Sequence, residues 1–218
     1  MITDHDTVHQ LVSVLKLAPG ERLILADGRG TEVEAEILAI DKDEIKTVAI
    51  DKYTNQNEPE REVVLYCAVL KRENFELAAH KAVETGVAKI VPVISEHTVK
   101  TGLNLVRVKK IIKEAAEISR RGRLPEIVEP MSFAQALTDA QKNPLTVFFD
   151  RSGKPWSVAE KLLKKEKQIG IFIGPEGGWS EAEKNAARDN KFLLVNLGRL
   201  NFKAETAVTL AVYLTVHI

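Results

Sequence analysis

Short apolar, β-branched runs alternate with helical patterns from about residue 59 onward, and this alternation constrains the fold more than any other feature. The runs lie at residues 63–70, 89–94, 145–149, 169–173 and 192–197. Runs of this length, separated by helices, are typical of buried strands in a mostly parallel sheet. The sequence therefore predicts an α/β domain over residues 59–218.

The segments between these runs carry helix signals of their own. From Leu105 to Ile118, apolar residues recur every three or four positions, which predicts one apolar helix face. A serine followed three positions later by Gln or Glu has the spacing of a capping box. This spacing occurs three times: Ser132 with Gln135, Ser157 with Glu160, and Ser180 with Glu183. We expect a helix to begin at each of these serines.

Residues 7–57 have a different pattern, in which polar and apolar residues alternate on both sides of Asp27-Gly28. Alternation with a period of two around an Asp-Gly pair predicts a β-hairpin. The polar residues that follow, from Lys52 to Glu60, show no periodicity and indicate a boundary. We therefore predict a small β-rich domain over residues 1–58.

The charge and the cysteine content exclude several classes of site. The 31 basic and 31 acidic residues cancel, so any site for a polyanion must be a local cluster. Cys67 is the only cysteine, which excludes an intramolecular disulfide and a cysteine-rich zinc site, and its apolar run predicts a buried thiol. His80 and His97 lack partners at metal-ligand spacing, so we expect no metal. The apolar runs are too short for a membrane span, and we expect a cytoplasmic protein.

A glycine-rich turn follows the run at residues 169–173. It contains Gly174, Pro175, Gly177 and Gly178, and it leads into the helix predicted to begin at Ser180. Glycines let backbone amides approach a ligand, and ligands of α/β sheets bind at the carboxyl ends of strands. The spacing matches neither dinucleotide-binding nor P-loop motifs, which disfavours a nucleotide-dependent oxidoreductase. From composition alone, an ordinary strand-to-helix connection remains the alternative.

Two C-terminal segments carry a resemblance to a known family. Residues 172–183 read Phe-Ile-Gly-Pro-Glu-Gly-Gly-Trp-Ser-Glu-Ala-Glu, and residues 197–207 read Leu-Gly-Arg-Leu-Asn-Phe-Lys-Ala-Glu-Thr-Ala. Together they resemble the C-terminal signature of the SPOUT methyltransferases, and most closely that of the RsmE family. Residues 70–87 and 114–127 also resemble that family, as do residues 9–23 with Asp27-Gly28, so the resemblance spans nearly the whole chain.

The resemblance implies a fold, a reaction and partners. The fold is a SPOUT-type parallel sheet with a C-terminal trefoil knot over residues 59–218, preceded by a PUA-like RNA-binding β-barrel over residues 1–58. The reaction is the transfer of a methyl group from S-adenosylmethionine (SAM) to N3 of a uridine in 16S ribosomal RNA. The partners are that RNA, within the small ribosomal subunit, and a second copy of the chain, since the apolar helix at 204–218 needs to be covered.

The resemblance also implies which residues form the site. Those expected to surround SAM are Phe149, Asp150, Gly174, Pro175, Glu176, Gly177, Leu197, Gly198, Phe202 and Ala204. Lys203 and Arg199 are the cationic candidates for stabilising a uracil anion. Glu205 could accept the N3 proton, although its role at a helix start could instead be to bond backbone amides.

Basic residues outside this loop are the candidates for RNA binding. Arg121 and Arg123 match an Arg-x-Arg pair of the family, although cations near a helix end can also be simple capping. Lys16, Arg22 and Arg29 lie on the predicted barrel. The loop departs from the family, which usually has a proline and two arginines where this chain has Arg199, Leu200 and Lys203. That departure leaves open an alternative, a non-catalytic RNA-binding protein.

Overall fold

The computed structural model describes residues 1–99 and 102–218, which form two compact units. One unit contains residues 1–58 together with 121–123, and the other contains residues 59–120 and 124–218. Among the helices of the described residues, none has both the length and the apolar character needed to cross a membrane.

The N-terminal unit is built on a three-stranded antiparallel sheet. Its strands, in spatial order, are β1 (Arg22–Ala26), β2 (Thr31–Ile40) and β3 (Ile45–Thr54). A short helix, α1 (His5–His9), continues into a π-helical turn (Gln10–Val14). Val8 from α1 packs with the buried Ile37 and Ile45 of the sheet to form a small apolar core.

The turn between β1 and β2 is the predicted hairpin. The Asp27 carboxylate accepts hydrogen bonds from the backbone N–H groups of Arg29 (2.7 Å) and Thr31 (3.0 Å), and these bonds lower its pKa. Gly28 has a φ of 68°, a left-handed conformation that glycine adopts without strain. The Asp-Gly pair sets this turn, so the hairpin prediction is confirmed.

Residues 121–123 return to the N-terminal unit from the second half of the chain. The Arg121 guanidinium pairs with the Glu58 carboxylate at 2.9 Å, and the Arg121 side chain is only 6% exposed. The Arg123 N–H donates to the same carboxylate at 2.9 Å. Partial burial raises the pKa of Glu58, but the bonds from Arg121 and Arg123 outweigh it and hold that pKa below its ordinary value. Glu58 therefore stays ionised and anchors the segment.

The C-terminal unit contains a parallel sheet in the order β10-β8-β9-β4-β5-β6, with β7 also paired to β5. The strands are β4 (Glu62–Ala68), β5 (Lys89–Ile94), β6 (Glu126–Ile127), β7 (Met131–Ser132), β8 (Leu145–Pro155), β9 (Gln168–Ile173) and β10 (Leu193–Asn196). All five predicted runs are strands, and the prediction of a mostly parallel α/β sheet is confirmed. The predicted bounds differ most at β8, which extends six residues beyond Phe149.

Helices cover both faces of this sheet. They are α2 (Arg72–Glu84), α3 (Leu105–Ile118), α4 (Phe133–Ala140), α5 (Trp156–Leu163), α6 (Glu181–Asp189) and α7 (Ala204–Val216). Leu65 and Cys67 of β4 lie in an apolar cluster with α2, α3, α5 and α7, whereas Val64 and Tyr66 lie in a second cluster with α4 and α6. Because successive strand residues point to opposite faces, this division shows that β4 is buried on both sides.

Cys67 is fully enclosed in the first of these clusters. Burial, with a smaller contribution from Glu176, raises the pKa of its thiol to about 12. Since the thiolate is the reactive form, the side chain is chemically inert at neutral pH. The prediction of a buried structural thiol is confirmed.

Two of the three predicted capping boxes are present. The side chain of Ser132 with Gln135, and that of Ser180 with Glu183, exchange hydrogen bonds with the backbone at the starts of α4 and α6. The Ser157 prediction is wrong, because α5 begins at Trp156 and Pro155 occupies the N-cap position. Ser157 is therefore already inside the helix.

Candidate functional site

A cavity of about 690 Å³ lies in the C-terminal unit, where β9 and β10 end and β8 passes beside them. Its lining comes from residues 149–151, 173–179, 195–198 and 200–205, with Asn74 and Ala207. The ten residues predicted to surround the cofactor all line it: Phe149, Asp150, Gly174, Pro175, Glu176, Gly177, Leu197, Gly198, Phe202 and Ala204. Three segments far apart in sequence therefore enclose one space.

The glycine-rich turn is fixed against β8 by the tryptophan that follows it. The indole N–H of the buried Trp179 donates to the Phe149 carbonyl at 3.2 Å. A Cβ on Gly174 would approach the Trp179 ring to 3.0 Å, so a side chain there would displace the ring. Gly178 has a φ of 71°, and its N–H donates to the Pro175 carbonyl at 2.8 Å to close the turn. These contacts explain why glycines occupy the turn.

Glu176 ties the same turn to the start of α2. Its carboxylate accepts hydrogen bonds from the Asn74 amide at 2.9 Å and the Lys71 backbone N–H at 3.3 Å. Partial burial raises the pKa of Glu176, but hydrogen bonds from Asn74, from its own backbone N–H and from Lys71 outweigh that effect and hold the pKa below its ordinary value. The side chain is thus an ionised acceptor that holds the turn in shape.

The loop after β5 supports the turn from a second side. The Glu96 N–H donates at 2.9 Å to Glu183, the buried capping carboxylate of α6. His97 forms a hydrogen bond of 2.9 Å between Nδ1 and the Gly178 carbonyl, and a Cβ on Gly177 would lie 3.2 Å from the His97 Cβ. No pattern in the sequence predicts this supporting role of His97. The residues described by the structure contain no cluster of three or more metal-binding side chains.

The loop between β10 and α7 forms the remaining wall. Gly198 has a φ of 115°, and its N–H donates to the Asn196 side chain at 3.0 Å. Lys203 lines the cavity and occupies the N-cap position of α7, where its side chain makes no capping hydrogen bond. Arg199 is exposed and is not among the lining residues. The two predicted cationic candidates therefore differ in their access to the cavity.

Glu205 presents a carboxylate oxygen to the cavity wall without a partner. Its Oε2 atom is buried and has no hydrogen-bond partner among residues 1–99 and 102–218. No backbone amide at the start of α7 bonds this oxygen, unlike the capping role considered from the sequence. An enclosed carboxylate oxygen without a donor is costly.

The residues predicted to bind RNA lie in the N-terminal unit. Lys16, Arg22, Arg29 and Arg123 are exposed, and Arg22 pairs with Glu34 at 3.1 Å. Arg29 and Arg123 are neighbours, since their backbones form an isolated antiparallel bridge. The guanidinium of Arg121 is enclosed in its pair with Glu58, so it anchors the segment and does not face solvent.

Two models of known protein families match this chain. The family model of the RNA methyltransferase domain matches residues 56–216. The model of the RNA methyltransferase PUA domain matches residues 2–50. These two matches define the class of protein, an RNA methyltransferase with an N-terminal PUA domain.

Relatives and solved structures narrow the class to one family. The chain is 29% identical over 216 residues to the ribosomal RNA small subunit methyltransferase E of Bacillus subtilis, covering 93% of this chain and 84% of the relative. It is 32% identical to the enzyme of that name from Mesomycoplasma hyopneumoniae, covering 74% and 72% of the two chains. The chain therefore belongs to the ribosomal RNA small subunit methyltransferase E family.

Two solved structures share the fold over almost the whole chain. One is a ribosomal RNA small subunit methyltransferase E from Neisseria gonorrhoeae bound to S-adenosyl methionine, with a TM-score of 0.85, 27% identity, and coverage of 95% of this chain and 87% of that one. The other is a putative methyltransferase from Legionella pneumophila in complex with SAM, with a TM-score of 0.87, 25% identity, and coverage of 97% and 89%.

Proposed function

We propose that this chain transfers a methyl group from SAM to a nucleotide of small-subunit ribosomal RNA. The observation that carries the proposal is the cavity beside the glycine-rich turn, whose volume of about 690 Å³ lies in the usual range for a small-molecule site. The relatives from Neisseria gonorrhoeae and Legionella pneumophila bind SAM on the same fold, which supports this choice of cofactor.

The residues of the cavity fit such a cofactor. Gly174, Gly177 and Gly198 line the cavity, so their backbone groups can approach the polar groups of the cofactor closely. Phe149 and Phe202 offer apolar surface to it. When bound, SAM supplies an electrophilic methyl group, and the chain's own residues must orient the nucleotide and accept the proton that it loses.

For the target we propose N3 of a uridine in 16S ribosomal RNA, as the family resemblance implies. This nitrogen carries a proton that has to leave, so the site needs an acceptor and nearby positive charge. Glu205, with its unpartnered oxygen, takes the role of acceptor. Lys203 lines the same cavity and stabilises the uracil anion, and Arg199, on the same loop, is a second cation for the RNA.

The two units take separate roles in this proposal. The PUA-like domain, residues 1–58, contacts RNA through Lys16, Arg22 and Arg29, together with Arg123. The SPOUT domain, residues 59–218, binds SAM, and we propose that its C-terminal segment forms a trefoil knot. The remaining exposed surface of the apolar helix α7, including Tyr213, pairs with a second copy in a homodimer. The reaction belongs to the cytoplasm, where small ribosomal subunits assemble.

Titration calorimetry with SAM, followed by transfer of labelled methyl groups to 16S ribosomal RNA, tests the proposal. We expect SAM to bind and the RNA to gain one methyl group, and mass spectrometry of the digested RNA then locates it. RNA binding without SAM binding or transfer would instead support the alternative of a non-catalytic RNA-binding protein. A methyl group on another atom would retain the class of reaction and overturn the assignment to N3.

A further inference from the structure

Two arginines at the starts of α2 and α3 share one carboxylate. The Oε1 atom of Glu76 accepts hydrogen bonds from Nε of Arg72 at 3.2 Å and from Nε of Arg107 at 2.7 Å. The Glu76 side chain is 12% exposed, whereas those of Arg72 and Arg107 are 65% and 55% exposed. A mostly enclosed carboxylate therefore holds two guanidinium groups side by side at the surface.

The cluster keeps both a positive charge and unused donors. Hydrogen bonds from Arg107 and then Arg72 lower the pKa of Glu76 against the opposing effect of burial, so its carboxyl group is ionised at neutral pH. The formal charges of the three side chains sum to +1. Each arginine reaches Glu76 through Nε. Within the described ranges, the terminal nitrogens of Arg72 and Arg107 make no other hydrogen bond or ion pair. These planar groups remain available to an anion.

The start of α2, which carries Arg72, lies at the edge of the cavity. Arg72 is the first residue of α2, and Asn74, two positions later in the same turn, lines the cavity and bonds Glu176. The backbone N–H of Lys71, the N-cap residue of α2, bonds the same Glu176 carboxylate. Because one helical turn advances only about 5.4 Å, Arg72 lies within one turn of this edge of the cavity, and its bond to Glu76 directs its side chain toward Arg107 of α3.

We infer that Arg72 and Arg107 form a binding site for a phosphate group of the RNA backbone, adjacent to the nucleotide that is methylated. The inference rests on the proposed function, because it assumes an RNA substrate at the cavity. A phosphodiester carries one negative charge and several acceptor oxygens, which match the planar donor fork of a guanidinium. Fixing both guanidinium groups through Glu76 reduces the side-chain entropy lost on binding. Such a contact positions the RNA without reading its sequence.

The test measures binding of transcribed 16S ribosomal RNA over a range of KCl concentrations, for wild type and matched variants. In Arg72→Gln/Arg107→Gln, we expect affinity to fall by about tenfold or more and the slope of log affinity against log salt to decrease by roughly 0.7 to 0.9, the value for one phosphate. Arg72→Lys/Arg107→Lys keeps both charges but lacks the planar fork. It should bind RNA more weakly while retaining the wild-type slope.

The matched control is Lys81→Gln, which removes one cation from α2 that pairs with Glu84 at 2.7 Å. It should leave both affinity and slope near wild type, and SAM affinity should be unchanged in every variant. If the arginine variants bind RNA with the wild-type affinity and slope, the phosphate site is overturned while the proposed function stands. If wild-type protein neither binds nor methylates the RNA, both fail. Circular dichroism of each variant verifies that α2 and α3 remain folded.

Discussion

Replacing Glu205 with glutamine should make the protein more stable and less active at the same time. Glutamine has nearly the same shape but no charge, and burying a neutral amide without a partner costs less than burying a carboxylate. An unsatisfied buried group costs about 1–3 kcal/mol. Only Oε2 is fully enclosed and the residue as a whole is half-buried, so we expect relief near the lower limit, about 1 kcal/mol. Loss of the negative charge in the first turn of α7 offsets about 0.5 kcal/mol of this relief. For a chain of this size, the net gain of about 0.5 kcal/mol raises Tm by about 1–2 °C.

The activity of the same variant reports what the carboxylate does. If Glu205 accepts the N3 proton, Glu205→Gln should lower kcat by about 100-fold or more, with SAM affinity close to wild type. Glu114→Gln is the matched control, because Glu114 is exposed on α3, and it should change neither Tm nor kcat. Differential scanning fluorimetry, calorimetry with SAM and single-turnover transfer measure the three quantities.

Two outcomes would refute this account of Glu205. If Glu205→Gln is less stable than wild type, the carboxylate is already satisfied in the free protein. If the variant loses SAM affinity but keeps kcat at saturating SAM, Glu205 is a cofactor contact and the proton leaves by another route.

The remaining predictions concern the cavity, the N-terminal unit and the assembly. Gly177→Val should abolish SAM binding in calorimetry while the circular dichroism spectrum persists, because its Cβ would meet the His97 Cβ at 3.2 Å and displace the turn that lines the cavity. Retained affinity would place the cofactor elsewhere. Lys203→Ala should reduce single-turnover transfer more than RNA affinity, and equal losses would make Lys203 another phosphate contact. Because the folded pKa of Glu58 lies below its ordinary value of 4.5, its contribution to stability is present above pH 4.5 and is lost as pH falls through the folded pKa. In Glu58→Gln, the melting temperature should therefore depend less on pH in this acidic range. Light scattering at micromolar concentration should report a dimer, and a monomer would count against the proposed pairing through α7.

Local pattern was sufficient for most of the C-terminal sheet. The strands β4, β5 and β9 are largely continuous apolar runs because both of their faces are buried. Such runs therefore predict strands of a parallel sheet. The start of α5 could not be placed in the same way. Ser157 has capping-box spacing, but Pro155 already provides the extended N-cap conformation, with φ of −56° and ψ of 145°.

Long-range contacts decide the residues that the sequence could not place. Arg121 resembles part of a basic patch, yet it is buried against Glu58, whose position 63 residues earlier carries no local signal. His97 supports the glycine-rich turn from 81 residues away. By contrast, the glycines of the turn are visible from the sequence, because their conformations and close approaches are properties of the local backbone.

The strand order has a consequence for the synthesis of the chain. β4 pairs with β5 on one side and with β9 on the other, and β9 is synthesised about a hundred residues after β4. While the ribosome adds those residues, the second edge of β4 is open to wrong pairings, a hazard that grows with the delay. The walls of the cavity come almost wholly from residues 149–207. A growing chain therefore completes its N-terminal sheet early and gains the pocket only at the end of translation, so prematurely terminated chains would lack it.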